Sequence, residues 1–277
     1  MRTGGWRRIV AGLTAAILLV LSTVAPGALA AASPASGRRL EISADEMAVD
    51  ASARTARAAG RVRISDGQTV ATADRATLYH REGRGVLSGN ARVVGSQGDL
   101  EAEQITILYT TTTITRITAR GSASLDTEGV VTSAQVITLD PATSTMRAER
   151  GVTAFTKPDV VATGARLTYQ RAQGRIVLEG AARVQNRDGF LAADRIEGLR
   201  RWDRVTATDN VHGRFRDIEV RSRAAEIFNA DKRAVFTGDV TLTQPGRRLV
   251  TERVTVWYEA GRVVAEGQTT MRLEPQP

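Results

Sequence analysis

Six acidic or amide side chains recur at nearly regular distances along this chain, and they are the first candidates for chemistry. They are Asp45, Asp74, Glu103, Gln135, Asp194 and Glu252. Two carboxyl groups held close together can act as a general acid and a general base. These residues, however, occur at most once in each segment of roughly thirty residues, and such a period is typical of a repeated structural unit. The pattern therefore favours a place at an edge or turn of the repeat over a catalytic pair.

The remaining residue types that carry chemistry are sparse. Neither His80 nor His212 has a second ligand at a spacing typical of metal sites, and the chain has no cysteine for a thiolate or a disulfide. No serine lies in a glycine-flanked elbow, and neither Lys157 nor Lys232 follows a phosphate-binding loop. The sequence therefore predicts no enzyme, no cofactor and no metal site.

The net charge of +8 comes almost entirely from arginines that are spread along the whole chain. A dispersed positive charge is compatible with a solvated surface and also with attraction of anionic ligands such as phosphates. Nucleic-acid binding is not predicted, because the arginines do not cluster and aromatic residues make up only 4% of the chain.

The first thirty residues have the three-part plan of an export signal. A basic start precedes an apolar run over residues 9–24, and a small-x-small motif ends at Ala30. The run is shorter than the ~20 residues that span a bilayer comfortably, which favours cleavage after Ala30 over an uncleaved anchor. Residues 31–39 are predicted to be a flexible lead-in, and residues 40–277 to be one repetitive domain.

The domain is organised by an internal repeat of about 29 residues, present in about eight copies. Each copy centres on a glycine or its equivalent: Gly60, Gly89, Gly121, Gly151, Gly180, Asp209, Gly238 and Gly267. Apolar and polar residues alternate on both sides of the anchor, as in Gly174–Asn186, which predicts strands with one buried face. The sequence predicts an all-β chain with about three short strands per copy. In the fourth copy the sequence leaves two adjacent positions for the anchor, Gly151 or a residue next to it.

The repeat resembles that of the LptA/OstA-like lipopolysaccharide transport family. The phrases "ADRATLY…GVLSGNARV" (residues 73–93) and "GARLTYQRAQGRIVLEGAARV" carry this resemblance. The resemblance implies an elongated, open β-jelly roll in the periplasm that bridges the inner and outer membranes and carries lipopolysaccharide without catalysis. The partners it implies are an inner-membrane ABC transporter complex reached through an LptC-like domain, an outer-membrane LptD-like translocon and head-to-tail copies of the chain itself.

The alternating strands present a continuous apolar face, which the residue pattern alone would close into a packed core. The resemblance instead implies a groove for lipid chains along this face. The residues predicted to line it are Ile64, Val93, Ile117, Leu125, Phe155, Ile176, Leu178, Val184, Val205, Phe236, Leu242, Val263 and Met271. The first strand (Leu40–Val49) and the last (Arg262–Leu273) are predicted to join partners by strand addition. The edge residues are Leu40, Ile42, Val49, Val264 and Thr270.

Three alternatives remain at this point. The chain could be the inner-membrane-anchored LptC-type component of the same system. It could be an exported parallel β-helix enzyme that acts on polysaccharide, although its carboxylates are not concentrated in neighbouring copies. It could also be a structural or adhesive repeat protein, although small residues such as Ala91, Ala182 and Ala265 leave room along the apolar face.

Overall fold

A computed structural model describes residues 41–65, 69–95, 98–110, 114–127, 129–156, 160–187, 189–199 and 203–273. The predicted signal peptide, the lead-in and Leu40 lie outside the described residues. The chain forms two compact units, residues 1–146 and 147–277. No helix among the described residues is long and apolar enough to cross a membrane.

Unit 1 is built from antiparallel strands that pair in chain order. The strands are β1 (Glu41–Ser43), β2 (Glu46–Asp50), β3 (Thr55–Ser65), β4 (Val70–Tyr79), β5 (Arg84–Gly95), β6 (Gly98–Tyr109), β7 (Ile114–Thr127) and β8 (Val130–Asp140). A 3₁₀ turn, His80–Glu82, joins β4 to β5. Strand β3 pairs with β4 on one side and with both β1 and β2 on the other.

Unit 2 repeats this plan from Arg147 onward. Its strands are β9 (Thr145–Thr156, which begins at the end of unit 1), β10 (Val160–Gln170), β11 (Arg175–Asn186), β12 (Gly189–Leu199), β13 (Arg204–Phe215), β14 (Ile218–Phe228), β15 (Arg233–Gln244), β16 (Arg247–Trp257), β17 (Arg262–Glu266) and β18 (Thr270–Leu273). A second 3₁₀ turn, Arg171–Gln173, joins β10 to β11. Strand β16 pairs with β15 and, on its other side, with β17 and β18.

The all-β prediction is confirmed, and the units have the antiparallel jelly-roll form that the resemblance implied. The parallel β-helix alternative is wrong, because the strand pairs within both units are antiparallel. The expectation of three short strands per copy is also wrong. Most strands contain 10 to 14 residues, and two of them make one copy. Each odd-numbered strand from β3 to β15 continues through the anchor position, where three short strands per copy would require a break.

A β-bulge marks that position in each odd-numbered strand from β3 to β15. Two consecutive residues adopt the left-handed conformation there, as in Gly89 (φ 73°) and Asn90 (φ 47°). In β5 the register passes from Ser88 to Ala91 while the partner β6 advances only from Gln104 to Ala102. The extra residue bends the strand, and the alternation resumes on the same face beyond it.

The fourth bulge corrects the predicted register. Arg150 (φ 67°) takes the first left-handed position and Gly151 (φ 73°) the second, so the anchor of this copy is Arg150. Consequently Val152 and Ala154 are buried, whereas the sequence predicts that Phe155 faces inward. Phe155 is 49% exposed and lies on the face of β9 opposite to Val152 and Ala154.

The two terminal strands are also divided. The predicted first strand consists of β1 and β2, and the predicted last strand consists of β17 and β18. All five residues of β2 and all four of β18 are exposed. The first break lies at Asp45, whose backbone N–H donates to Gly60 O in the bulge of β3, and the second lies at Gly267 (φ 94°), the anchor of the last copy.

Candidate functional site

The recurring acidic side chains lie on the exposed faces of the strands, beside the bulges. Asp74 accepts a hydrogen bond from Asn90 Nδ2 (3.1 Å), and Asp194 accepts one from Asn210 Nδ2 (2.7 Å). Asp45 pairs with Arg61 at 2.5 Å, and this hydrogen bond lowers the pKa of the Asp45 carboxyl. In each pair the partner lies sixteen residues later, in the second left-handed position of the neighbouring bulge.

One copy exchanges the two partners and thereby identifies their role. Arg223 occupies the position of the acidic residue, and its Nε donates to Asp239 Oδ2 at 2.8 Å. Asp239 has φ 50°, as expected for the second bulge residue. Because the acidic side chain can lie on either of the two strands, the role of the pair is to tie the strands together at the bulge. An acid-base function would require the carboxylate on one defined side.

Neither histidine belongs to a cluster of potential metal ligands. His80 opens the 3₁₀ turn after β4, whereas His212 lies on the outer face of β13. His212 Nε2 is 2.7 Å from Glu219 Oε1, and this hydrogen bond lowers the pKa of Glu219. Within the described ranges, no three His, Asp or Glu side chains converge as metal ligands would.

The apolar faces of the strands form the larger feature of both units. In unit 2 the register aligns Leu178, Ile196, Ala207, Ala225 and Phe236 across five neighbouring strands. All five side chains are buried, so the face is closed near the bulges. Each fully buried Leu, Ile or Phe contributes about 1.5–3 kcal/mol to stability, so this row holds the strands together.

The apolar face of unit 2 opens toward the strand ends into a groove of about 510 Å³, here called the unit 2 groove. Its apolar wall includes Val184, Leu191, Val205 and Ile227. Phe215 and Tyr258 stand at its mouth with their rings stacked 5.8 Å apart. The polar groups at its edge include Asn229, Lys232 and Glu259.

Tyr258 is held in place at the mouth of this groove. Its hydroxyl lies 3.3 Å from Asn229 Oδ1, and its backbone N–H donates to Lys232 O at 3.1 Å. Partial burial, and the nearby Glu259 to a lesser extent, raise the pKa of the Tyr258 hydroxyl. Phe215 and Tyr258 thus add two stacked aromatic rings to the lining of the groove.

Unit 1 contains a smaller cleft of about 120 Å³, here called the unit 1 groove. Its wall is almost entirely apolar and includes Ile42, Ile64, Leu78 and Ile107. Met47 and Val49 also line the groove, and they are 59% and 56% exposed. A cleft with apolar walls and an apolar mouth suits a hydrocarbon better than a polar substrate.

The residues predicted to face lipid fall into distinct environments. Three of them line the grooves: Ile64, Val184 and Val205. Six others are buried in the packed part of the face: Val93, Ile117, Leu125, Leu178, Phe236 and Leu242. Ile176 and Val263 are half-buried, and Met271 is exposed in β18. The predicted edge residues Ile42, Val49, Val264 and Thr270 lie in β1, β2, β17 and β18.

The residue pattern did not identify the aromatic residues at the mouth of the unit 2 groove. Phe190, Phe215 and Tyr258 line it, and only 4% of the chain is aromatic. Their scarcity was the sequence feature that could have pointed to these residues, because each aromatic residue in such a chain occupies a position where small aliphatic residues are the rule. Their convergence depends on pairing between strands and does not follow from local alternation.

Among known proteins, one family matches the sequence of this chain. A search of curated proteins found no match. Among solved structures, the chain is similar to LptH, the LptA homologous periplasmic component of the lipopolysaccharide transport device from Pseudomonas aeruginosa. The two are 20% identical over 51% of this chain and 82% of LptH, with a TM-score of 0.25.

The family comparison covers most of the chain. Residues 41–204 and 219–276 match the model of the LptA/(LptD N-terminal domain) LPS transport proteins. The unmatched stretch, residues 205–218, contains Asp209 and Asn210, where the repeat lacks its glycine. On the extent of this match, the chain belongs to the LptA/(LptD N-terminal domain) family of lipopolysaccharide transport proteins.

Proposed function

We propose that this protein is a periplasmic carrier that binds lipopolysaccharide and passes it from the inner to the outer membrane, with its acyl chains in the two grooves. The observation that carries the proposal is an apolar strand face that opens into a groove in each unit of a chain from this transport family. The carrier performs no catalytic step, and its acidic side chains serve the bulges.

The energetic reason for a groove is the cost of exposing hydrocarbon to water. Each exposed CH₂ group costs ~0.8 kcal/mol, so an acyl chain of about twelve carbons costs roughly 9 kcal/mol. A membrane lipid with several such chains needs an apolar path across an aqueous compartment. Met47 and Val49 at the unit 1 groove and Phe215 and Tyr258 at the unit 2 groove are the surfaces that such chains would first contact.

The terminal strands support the proposed partners. An exposed strand presents backbone N–H and C=O groups to which a partner strand can add. Strand β2 and strand β18 are exposed along their whole length, and Met271 and Leu273 are 56% and 78% exposed. We assign these strands to contacts with an LptC-like domain of the inner-membrane transporter, with an LptD-like translocon or with another copy of the chain.

The proposed location depends on the N-terminal segment. Cleavage after Ala30 would release a carrier into the periplasm, where it could contact both membranes. Retention of residues 1–30 would instead give an anchored LptC-type protein. Sequencing the N-terminus of the protein recovered from cells separates the two, because a start at Ala31 supports the carrier and an intact Met1 supports the anchored form.

Site-specific photo-crosslinking tests the grooves. A photoreactive amino acid at Ile64 in unit 1 or Val184 in unit 2 should form adducts with lipopolysaccharide during active transport. The matched controls are Arg63, the outward neighbour of Ile64, and Thr206, an outward residue of β13. Adducts at the two groove positions alone support the proposal. Equal labelling at all four positions, or none at the groove positions, would contradict it.

A further inference from the structure

Four arginines line a recess at the rim of the unit 2 groove, beside Phe190. One of them is Arg187, which directly follows β11. Arg183 lies on β11, Arg214 on β13 and Arg216 directly after β13. The register places Phe190 of β12 between Gln185 and Arg214. The guanidinium carbon of Arg183 lies 3.7 Å from the centroid of the Phe190 ring, and that of Arg214 lies 5.3 Å from it.

Several other arginines of unit 2 are paired with carboxylates. Arg175 contacts Glu197 at 2.7 Å and Arg253 contacts Glu266 at 3.3 Å. Among the described residues, no carboxylate lies within salt-bridge distance of Arg183, Arg214 or Arg216. Arg183 donates instead to the neutral Oε1 of Gln185 at 3.0 Å.

Like charges held close together repel one another, and a bound anion relieves that repulsion. The stacking of two guanidiniums on the Phe190 ring keeps them near each other and sets their orientation. Guanidinium groups form bidentate hydrogen bonds with phosphate oxygens, so three of them around one space suit a phosphate group. The arginines enclose a polar recess of about 230 Å³.

The recess and the unit 2 groove share their rim. Asn186, Gly189, Phe190 and Arg216 line both. One ligand can therefore place hydrocarbon against Val184 and Leu191 and an anionic group against the arginines. A free anion would use only the recess, and an uncharged lipid would use only the groove. An anionic amphiphile complements both.

We propose that Arg183, Arg214 and Arg216 form a binding site for a phosphate group of the lipid whose acyl chains occupy the unit 2 groove. This inference rests on the proposed carrier function. It adds that the carrier recognises the head of its lipid as well as the acyl chains. It also orients the lipid, because the phosphate must lie on the β11–β13 side of the groove mouth.

The test compares two lipids on the full chain. Lipid A with both phosphates and dephosphorylated lipid A are presented in the same detergent micelles, and their dissociation constants are measured. The variant carries Arg183→Gln, Arg214→Gln and Arg216→Asn. Asparagine is chosen at residue 216 because the backbone there has φ 56°, which asparagine tolerates. Circular dichroism and thermal unfolding check that the variant is folded.

We expect the wild-type chain to prefer the phosphorylated lipid and the variant to bind it roughly tenfold or more weakly, as for the loss of charge-assisted hydrogen bonds. Affinity for the dephosphorylated lipid should be unchanged. A control with the same change in net charge, Arg221→Gln, Arg248→Gln and Arg253→Gln, should retain the preference, since these residues do not line the recess.

The outcomes separate this inference from the proposed function. If wild type binds both lipids equally, or if the variant loses both equally, the phosphate site is refuted and the carrier function stands. If wild type binds neither lipid, the carrier function itself fails. A parallel titration with inorganic phosphate identifies a free-anion site. Binding of inorganic phosphate that needs the three arginines and does not change when either lipid is added would overturn the proposal.

Discussion

Replacing Gly89 by alanine tests the bulge that shapes each repeat. Gly89 has φ 73°, where a residue with a Cβ costs about 1–2 kcal/mol. A Cβ on Gly89 would also clash with the side chain of Asp74 on the neighbouring strand. The clash includes the Asp74 Cβ atom, so a rotation of the carboxylate alone cannot relieve it.

The matched control is Gly129→Ala in the same unit. Gly129 has φ 82°, but no atom lies within 4 Å of the position that a Cβ would take. We therefore expect the control to lose only the backbone term, about 1–2 kcal/mol. Gly89→Ala should lose that amount and a further ~1–3 kcal/mol for overpacking.

Urea denaturation monitored by circular dichroism measures both losses in the unfolding transition of unit 1. With a slope of about 2 kcal/mol per M, the control should lower the midpoint by roughly 0.5–1 M and Gly89→Ala by roughly 1–2.5 M. In an Asp74→Gly background the excess should disappear. Equal losses for Gly89→Ala and the control would refute the close approach of Asp74, and a neutral Gly89→Ala would refute the left-handed bulge itself.

Two further changes test the packing and the charges of unit 2. Phe236→Ala should destabilise the unit by about 3–5 kcal/mol, because Phe236 is fully buried. Phe155→Ala should cost little, because Phe155 is half exposed. Thermal unfolding measures both losses, and a larger loss for Phe155→Ala than for Phe236→Ala would favour Gly151 as the anchor of the fourth copy. Glu197 accepts hydrogen bonds from Arg175, which lower its pKa against the opposing effect of burial. Its stabilisation is therefore present above the ordinary glutamate pKa and lost as the pH falls below it. Glu197→Gln should cost roughly 1–2 kcal/mol at pH 7 and progressively less as the pH falls below the ordinary glutamate pKa. A loss that is independent of pH would contradict this account.

The local pattern was sufficient to predict the strands and the apolar face. Side chains alternate with a period of two along any strand, so Ile196, Leu242 and Val254 could be assigned to one face without knowledge of their partners. The repeated glycine marked the bulges for a similarly local reason, because a left-handed residue is most often a glycine. The family resemblance rested on the same local phrases.

The tertiary structure decided features that depend on pairing between strands. Arg150 rather than Gly151 opens the fourth bulge, although a glycine is the cheaper residue there, and this reverses the faces of Val152 and Phe155. The partner strands and the burial of Val152 and Ala154 select between the two positions.

The open and closed parts of the apolar face were also decided by the tertiary structure. Leu178 and Val184 follow the same alternation in one strand, yet Leu178 is fully buried and Val184 lines a groove. Arg183, Phe190 and Arg214 are likewise separate in the chain and meet through the register of β11, β12 and β13. Alternation determines only the side of the strand to which a residue points, whereas contact depends on what the neighbouring strands place opposite it.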